Sequence, residues 1–183
     1  MRNVLITLFL IFSPVLFSKE ILYSGDVSFR AETNVPGLTI EGSSKIFKKL
    51  SADFSDDLLT LKKIEVELDA QTLKTGIDLR DQHMFEKVFL VLSAKEKPAL
   101  LKMNLDKATC EKTASILIKC NGEANFLFGK KAFSKKIELN FDKNQNTDVS
   151  FNISLKELAI EIPSYLGIEL EDSVVIKMKV FKK

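Results

Sequence analysis

Apolar and polar residues alternate along most of this 183-residue chain. In VSFRAE, Val27, Phe29 and Ala31 share one side. Ser28, Arg30 and Glu32 share the other. The same period sets Ile64, Val66 and Leu68 together in IEVELDA, and Leu101, Met103 and Leu105 together in LLKMNLDK. It recurs through Ile116, Ile118, Cys120, Ala124, Phe126 and Phe128, and through Ile137, Leu139 and Phe141. Val149, Phe151, Ile153 and Leu155 follow it, as do Val174, Ile176, Met178 and Val180. A period of two marks antiparallel strands with one dry and one wet face. GLTIEG and LSADF are weaker strand candidates, and turn chemistry lies between the runs, in NVPG at 34–37 and DKNQNTD at 142–148. The second of these predicts a hairpin joining 137–142 to 148–155. Eight or nine such strands in one domain must close into a barrel or stack as a sandwich. The long strict alternation favours an all-β, eight-stranded antiparallel barrel with an apolar interior.

One stretch breaks the period. In GIDLRDQHMFEKVFL the apolar positions Met84, Phe85, Val88 and Phe89 recur at helical spacing. This predicts a short helix against a barrel mouth, after the strand at 64–70. PSYLGIELED, at 163–172, reads as an irregular loop covering a barrel end.

The first eighteen residues read differently from the rest. Arg2 precedes the apolar run VLITLFLIF and then SPVLFS, the order of a secretory signal and too short for a comfortable membrane span. The expected organisation is a signal peptide at 1–18 and a single barrel domain at 19–183, in a periplasmic or secreted protein. A formal net charge of +2, with charges interleaved throughout, argues against nucleic acid as partner. Two cysteines and one histidine do not make a tetrahedral metal site, so no metal and no cofactor beyond a bound lipid is expected.

Export makes a disulfide between Cys110 and Cys120 chemically allowed. Inward positions are odd-numbered on strand 99–109 and even-numbered on strand 116–128. The two cysteines therefore do not face each other across a regular ladder. A bond requires Cys110 to lie in the turn region CEKTAS, or a bulge that shifts the register.

LKTGIDLRDQHMFEKVF, with Thr75-Gly76, Arg80-Asp81 and His83 in order, resembles the signature of the YceI family of exported polyisoprenoid-binding proteins. GDVSFRAE, KPALLKMN, CNGEANFLFGKKAFSKKIEL and IPSYLGIELEDSVVIKMKV follow in the order that the family shows, over roughly residues 21–181. The chain departs from the pattern at Leu101, Lys102 and Met103, where the family often has phenylalanine and serine. The resemblance implies a lipocalin-like barrel that holds a long isoprenoid or fatty-acid-like lipid in its interior. The lining expected for that ligand is Phe29, Ala31, Ile40, Phe54, Val66, Leu68, Phe85, Phe89, Leu101, Met103, Leu105, Ile118, Phe126, Phe128, Leu139, Phe141, Phe151, Ile153, Ile176 and Met178. Each CH₂ buried in such a wall contributes about 0.8 kcal/mol.

The nine residues TGIDLRDQH hold the one histidine with two aspartates and an arginine. Asp78, Arg80, Asp81 and His83, with Tyr165, are the candidates for contact with a lipid head group at the mouth. The plainer reading is that Arg80 pairs with Asp81 and that polar groups cap the helix start. Catalysis by Asp78, Asp81 and His83 lacks a neighbouring nucleophile, and the protein is not expected to be an enzyme. The alternatives are a solid-cored barrel that acts through a protein partner in envelope stress, and a lipid-modifying enzyme. The expected partner is a hydrophobic lipid, with transient membrane contact and a monomeric or homodimeric state.

Overall fold

The computed structural model describes residues 20–55, 60–93, 99–113 and 118–182. The signal-like segment and Ile116 lie outside them. Among the described residues the strands are β1 (Glu20–Thr33), β2 (Thr39–Ser44), β3 (Lys49–Phe54), β4 (Thr60–Asp69), β5 (Leu100–Leu105), β6 (Ala108–Glu111), β7 (Ile118–Phe128), β8 (Lys131–Phe141), β9 (Thr147–Ser154), β10 (Ser164–Tyr165) and β11 (Ile168–Lys182). Antiparallel pairing runs β1–β3–β4–β5–β7–β8–β9–β11 and returns from β11 to β1. With β6 continuing β5, this closes a ring of eight staves. Strand β2 adds to β1, and β10 adds to β11.

β5 and β6 are one strand interrupted at Asp106–Lys107. Met103 faces Phe126 and Asn104 faces Asn125, whereas Ala108 faces Gly122 and Cys110 faces Cys120. Four steps on one side match three on the other, which is a bulge. This slip brings Cys110 and Cys120 opposite each other, and they form a disulfide. Of the two routes open to the bond, the shifted register is the one taken. With a sequence separation of 10, chain-entropy arguments give the bond roughly 2–3 kcal/mol of stabilisation.

The barrel has two unlike ends. At one, Leu61, Leu105, Ile118, Cys120, Leu139 and Phe141 are almost wholly buried, and the Phe54 ring meets that of Phe141 edge-on at 5.2 Å. The described barrel enters and leaves here, with Tyr23 opposite Lys182. The Tyr23 hydroxyl is buried without a hydrogen-bond partner, and burial pushes its pKa up to about 12.

The other end is the mouth. A helix, α1 (Asp78–Met84), continues through a π turn at Phe85–Phe89 and a last α turn at Leu90–Leu92. It begins beside a bridge in which Ser43 and Lys74 exchange backbone hydrogen bonds of 2.9 Å. It ends on the β7–β8 turn, where the Lys130 N–H donates to the Leu92 carbonyl at 3.0 Å. The expected helix at a barrel mouth is present. β8 and β9 form the expected hairpin but pair only next to its turn, at Asn140–Asp148 and Phe141–Thr147. Towards the mouth they part: Phe133 stacks on its β7 partner Phe126, and Phe151 of β9 packs against the same ring. Lys135 Nζ donates across the gap to the Asn152 carbonyl.

The stretch at 163–172 differs from the expectation of an irregular loop. Ser164–Tyr165 and Ile168 onward form a tight hairpin, and β11 starts at Ile168. Leu166 and Gly167, both with positive φ, make the turn that permits it.

Candidate functional site

A cavity of about 680 Å³ occupies the mouth half of the barrel. Its wall comes from the mouth-side halves of β1, β4, β5, β7, β9 and β11, closed over by α1 and the β10–β11 hairpin. Of the residues expected to line it, Phe29, Ala31, Ile40, Val66, Leu68, Phe89, Leu101, Met103, Phe126, Phe128, Phe151, Ile153, Ile176 and Met178 do so. Phe54, Leu105, Ile118, Leu139 and Phe141 do not. They share the inward face but fill the closed end, where side chains meet across the barrel axis. Phe85 is half-buried and packs against the core outside the cavity. The tunnel expected along the whole interior is thus confined to one half, and the solid core of the alternative reading is the other half.

Several lining residues fall outside the expected set. Leu73, Ile77, Leu79, Met84 and Val88 come from α1, its approach and its π turn, and Leu155, Leu158, Ile160, Leu170 and Val174 from the loop after β9 and from β11. Leu155 and Val174 carry the period-two signal. Ile77 and Leu79 lie among charged residues and carry none.

The polar groups gather at the mouth. Thr75, Arg80, His83, Lys87 and Tyr165 line the cavity, whereas Asp78 and Asp81 do not. Asp81 accepts from the Thr75 N–H at 2.7 Å and from the Thr75 hydroxyl at 2.6 Å. Arg80 Nη2 donates to the Thr75 carbonyl at 3.3 Å. The expected Arg80–Asp81 pair is therefore replaced by three bonds with Thr75, two made by Asp81 and one by Arg80, which fold the TG segment back on the helix. Ile77, the residue preceding α1, makes no side-chain cap. The Arg80 Nε is buried without a hydrogen-bond partner, and the His83 ring lies 5.5 Å from that of Tyr165.

Desolvation raises the Asp81 pKa, but the Thr75 hydroxyl and N–H, with the positive charges of Lys74 and Arg80, outweigh it and leave the carboxyl below its usual value. A carboxylate with a depressed folded-state pKa stabilises above its unfolded pKa, about 3.9. That stabilisation is lost as pH falls through the folded value. Asp81→Asn should therefore be less stable than wild type in urea at pH 7, with the gap closing below about pH 4. A gap that stayed constant down to pH 2–3 would show that Asp81 acts through shape rather than charge.

The β1–β2 turn is tied to the hairpin. Asn34 donates from Nδ2 to the Gly167 carbonyl at 3.0 Å and accepts at Oδ1 from the Glu169 N–H at 3.0 Å. Turn, hairpin and helix thus form one connected rim. Among the described residues, no three His, Cys, Asp or Glu side chains cluster as metal ligands, and no helix is long and apolar enough to cross a membrane.

No family model and no curated protein matches this chain. Solved structures do match. BcnA of Burkholderia cenocepacia superposes with a TM-score of 0.63 at 15% identity, covering 85% of this chain and 94% of BcnA. A polyisoprenoid binding domain from Saccharophagus degradans, implicated in plant cell wall breakdown, gives 0.58 at 12% identity, covering 89% and 98%. A YceI protein of Campylobacter jejuni gives 0.58 at 14%, covering 100% and 99%. The eight-stave closure, the helix across one mouth and these superpositions over nearly whole chains agree: this chain has the YceI fold.

Proposed function

We propose that the protein is an exported carrier or store for an apolar chain lipid, a polyisoprenoid or a fatty-acid-like molecule, held in the mouth half of the barrel. The observation that carries this reading is an apolar cavity confined to one end, with a guanidinium Nε buried at its opening and lacking a partner. A volume of about 680 Å³, at roughly 30 Å³ per water-sized group, has room for roughly twenty carbons. A longer isoprenoid would extend through the mouth. An oxygen of the head group accepts from Arg80, where a hydrogen bond to a charged donor is worth about 1.5–3 kcal/mol. His83 and Tyr165 flank it. The match to a polyisoprenoid binding domain supports the ligand class.

The reading involves binding without covalent chemistry. In its support, Asp78 lies outside the lining, Asp81 is engaged by Thr75, and neither carboxylate bonds His83 among the described residues.

Native mass spectrometry of the mature protein, purified without detergent, followed by organic extraction, tests the reading. The expected result is a stoichiometric adduct released as a chain lipid. A bare mass that persists after addition of isoprenoid alcohols and of C16–C20 fatty acids would end it.

A further inference from the structure

We propose that the rim of the mouth, with Leu166 at its tip, docks on a lipid bilayer, and that the apolar chain passes there between membrane and cavity. This rests on the lipid reading of the cavity.

Leu38, Ile77, Leu79 and Tyr165 are all exposed, and all four also line the cavity. Apolar side chains therefore lead from the outside of the molecule to its interior, beside the polar groups of the mouth. Leu166 continues it outward and is 85% exposed.

Its backbone makes the position unusual. Ser164 faces Glu169 and Tyr165 faces Ile168, so Leu166 and Gly167 form a two-residue turn with φ of 51° and 81°. Such turns favour Asn-Gly, because a first residue with positive φ penalises an ordinary side chain. A leucine here is unfavourable to the backbone and contributes no burial to the fold. Residues that break local rules without a structural gain mark functional positions.

The occupant that fits is a bilayer. A chain leaving a membrane for the cavity needs a path that never crosses water, and the apolar side chains of the rim line one. The exposed charges nearby, Asp78, Lys87 and Glu169, are of mixed sign. They suit a zwitterionic surface rather than a polyanion.

Leu166→Asn tests the idea without harming the turn, since asparagine accepts this conformation. On phosphatidylcholine vesicles, the wild-type mature protein should float and L166N should bind about tenfold or more weakly. Urea midpoints should be equal, or higher for L166N. Uptake of a pyrene-labelled fatty acid added without vesicles should be the same in both, and transfer of that probe from vesicles slower in L166N. Wild-type protein that does not float, or L166N that floats equally, overturns the proposal. So does dimerisation that depends on Leu166 in the absence of flotation, which would assign the rim to a second copy. Flotation sensitive to L166N with no pyrene uptake by either protein would keep the docking surface and overturn the lipid reading of the cavity.

Discussion

Gly129→Ala should destabilise the protein by about 3 kcal/mol or more. Gly129 has φ of +59°, and a Cβ built there would sit on the carbonyl of Leu92 at the end of the helix. The obstacle is backbone, and that carbonyl already accepts from Lys130 at 3.0 Å while the Gly129 N–H donates to the Leu100 carbonyl at 2.9 Å. Relief requires the helix to lift from the β7–β8 turn, which loosens the mouth as well. Gly76→Ala is the matched control. Its φ is +81°, but nothing lies within 4 Å of its Cβ position. It should show only the conformational penalty, about 1 kcal/mol. In urea, a slope of about 1–3 kcal/mol per M turns the expected loss into a midpoint drop of roughly 1–3 M. Equal effects of the two substitutions would show that the helix end is not locked at Gly129.

Ala31→Phe should abolish most chain binding while leaving the fold intact. Ala31 is buried on β1, with Ile40 and Val174 as its cross-strand neighbours, and it faces the cavity. A phenyl ring there takes the room of about four CH₂ groups. At about 0.8 kcal/mol each, this predicts a loss of retention of roughly a hundredfold or more. Stability should change by less than about 1 kcal/mol, because the ring enters open space. Ala124→Phe makes the opposite case. Ala124 is wholly buried outside the cavity, and overpacking there should destabilise by about 1–3 kcal/mol or more. Binding of a labelled fatty acid and urea denaturation of both variants settle the comparison. Strong destabilisation by Ala31→Phe with binding retained would mean that the mouth half is not where the chain resides.

These contrasts bear on what the sequence could disclose. Alternation records which face of a strand is dry, so the inward phases of β1, β4, β5, β7, β9 and β11 were legible, and so was the helix that breaks the period. Alternation carries no record of depth along the barrel axis. Phe141 and Phe151 bear the same signal, yet one fills the closed end and the other lines the cavity. That difference arises from how neighbouring strands stagger, a property of the closed ring. The disulfide was half legible. Parity limited it to a turn or a bulge, and the backbone at Asp106–Lys107 decides for the bulge. In the TGIDLRDQH stretch, adjacent opposite charges suggested a pair. Helical geometry instead turns Asp81 back onto Thr75 and sends Arg80 to the mouth. The turn at Leu166-Gly167 was the least legible, because leucine is not a residue that turn chemistry selects.

The division of the barrel into a filled end and a chambered end has an evolutionary consequence. The filled half carries the disulfide, the Phe54–Phe141 contact and the adjoining ends of β1 and β11. Residues that line the chamber face open space on one side, so substitution there should change what fits within it with little effect on whether the chain folds. A scaffold divided in this way can change the shape of its chamber while keeping one folding unit. Solved structures superpose on this chain at 12–15% identity, so the fold persists while most of the sequence changes.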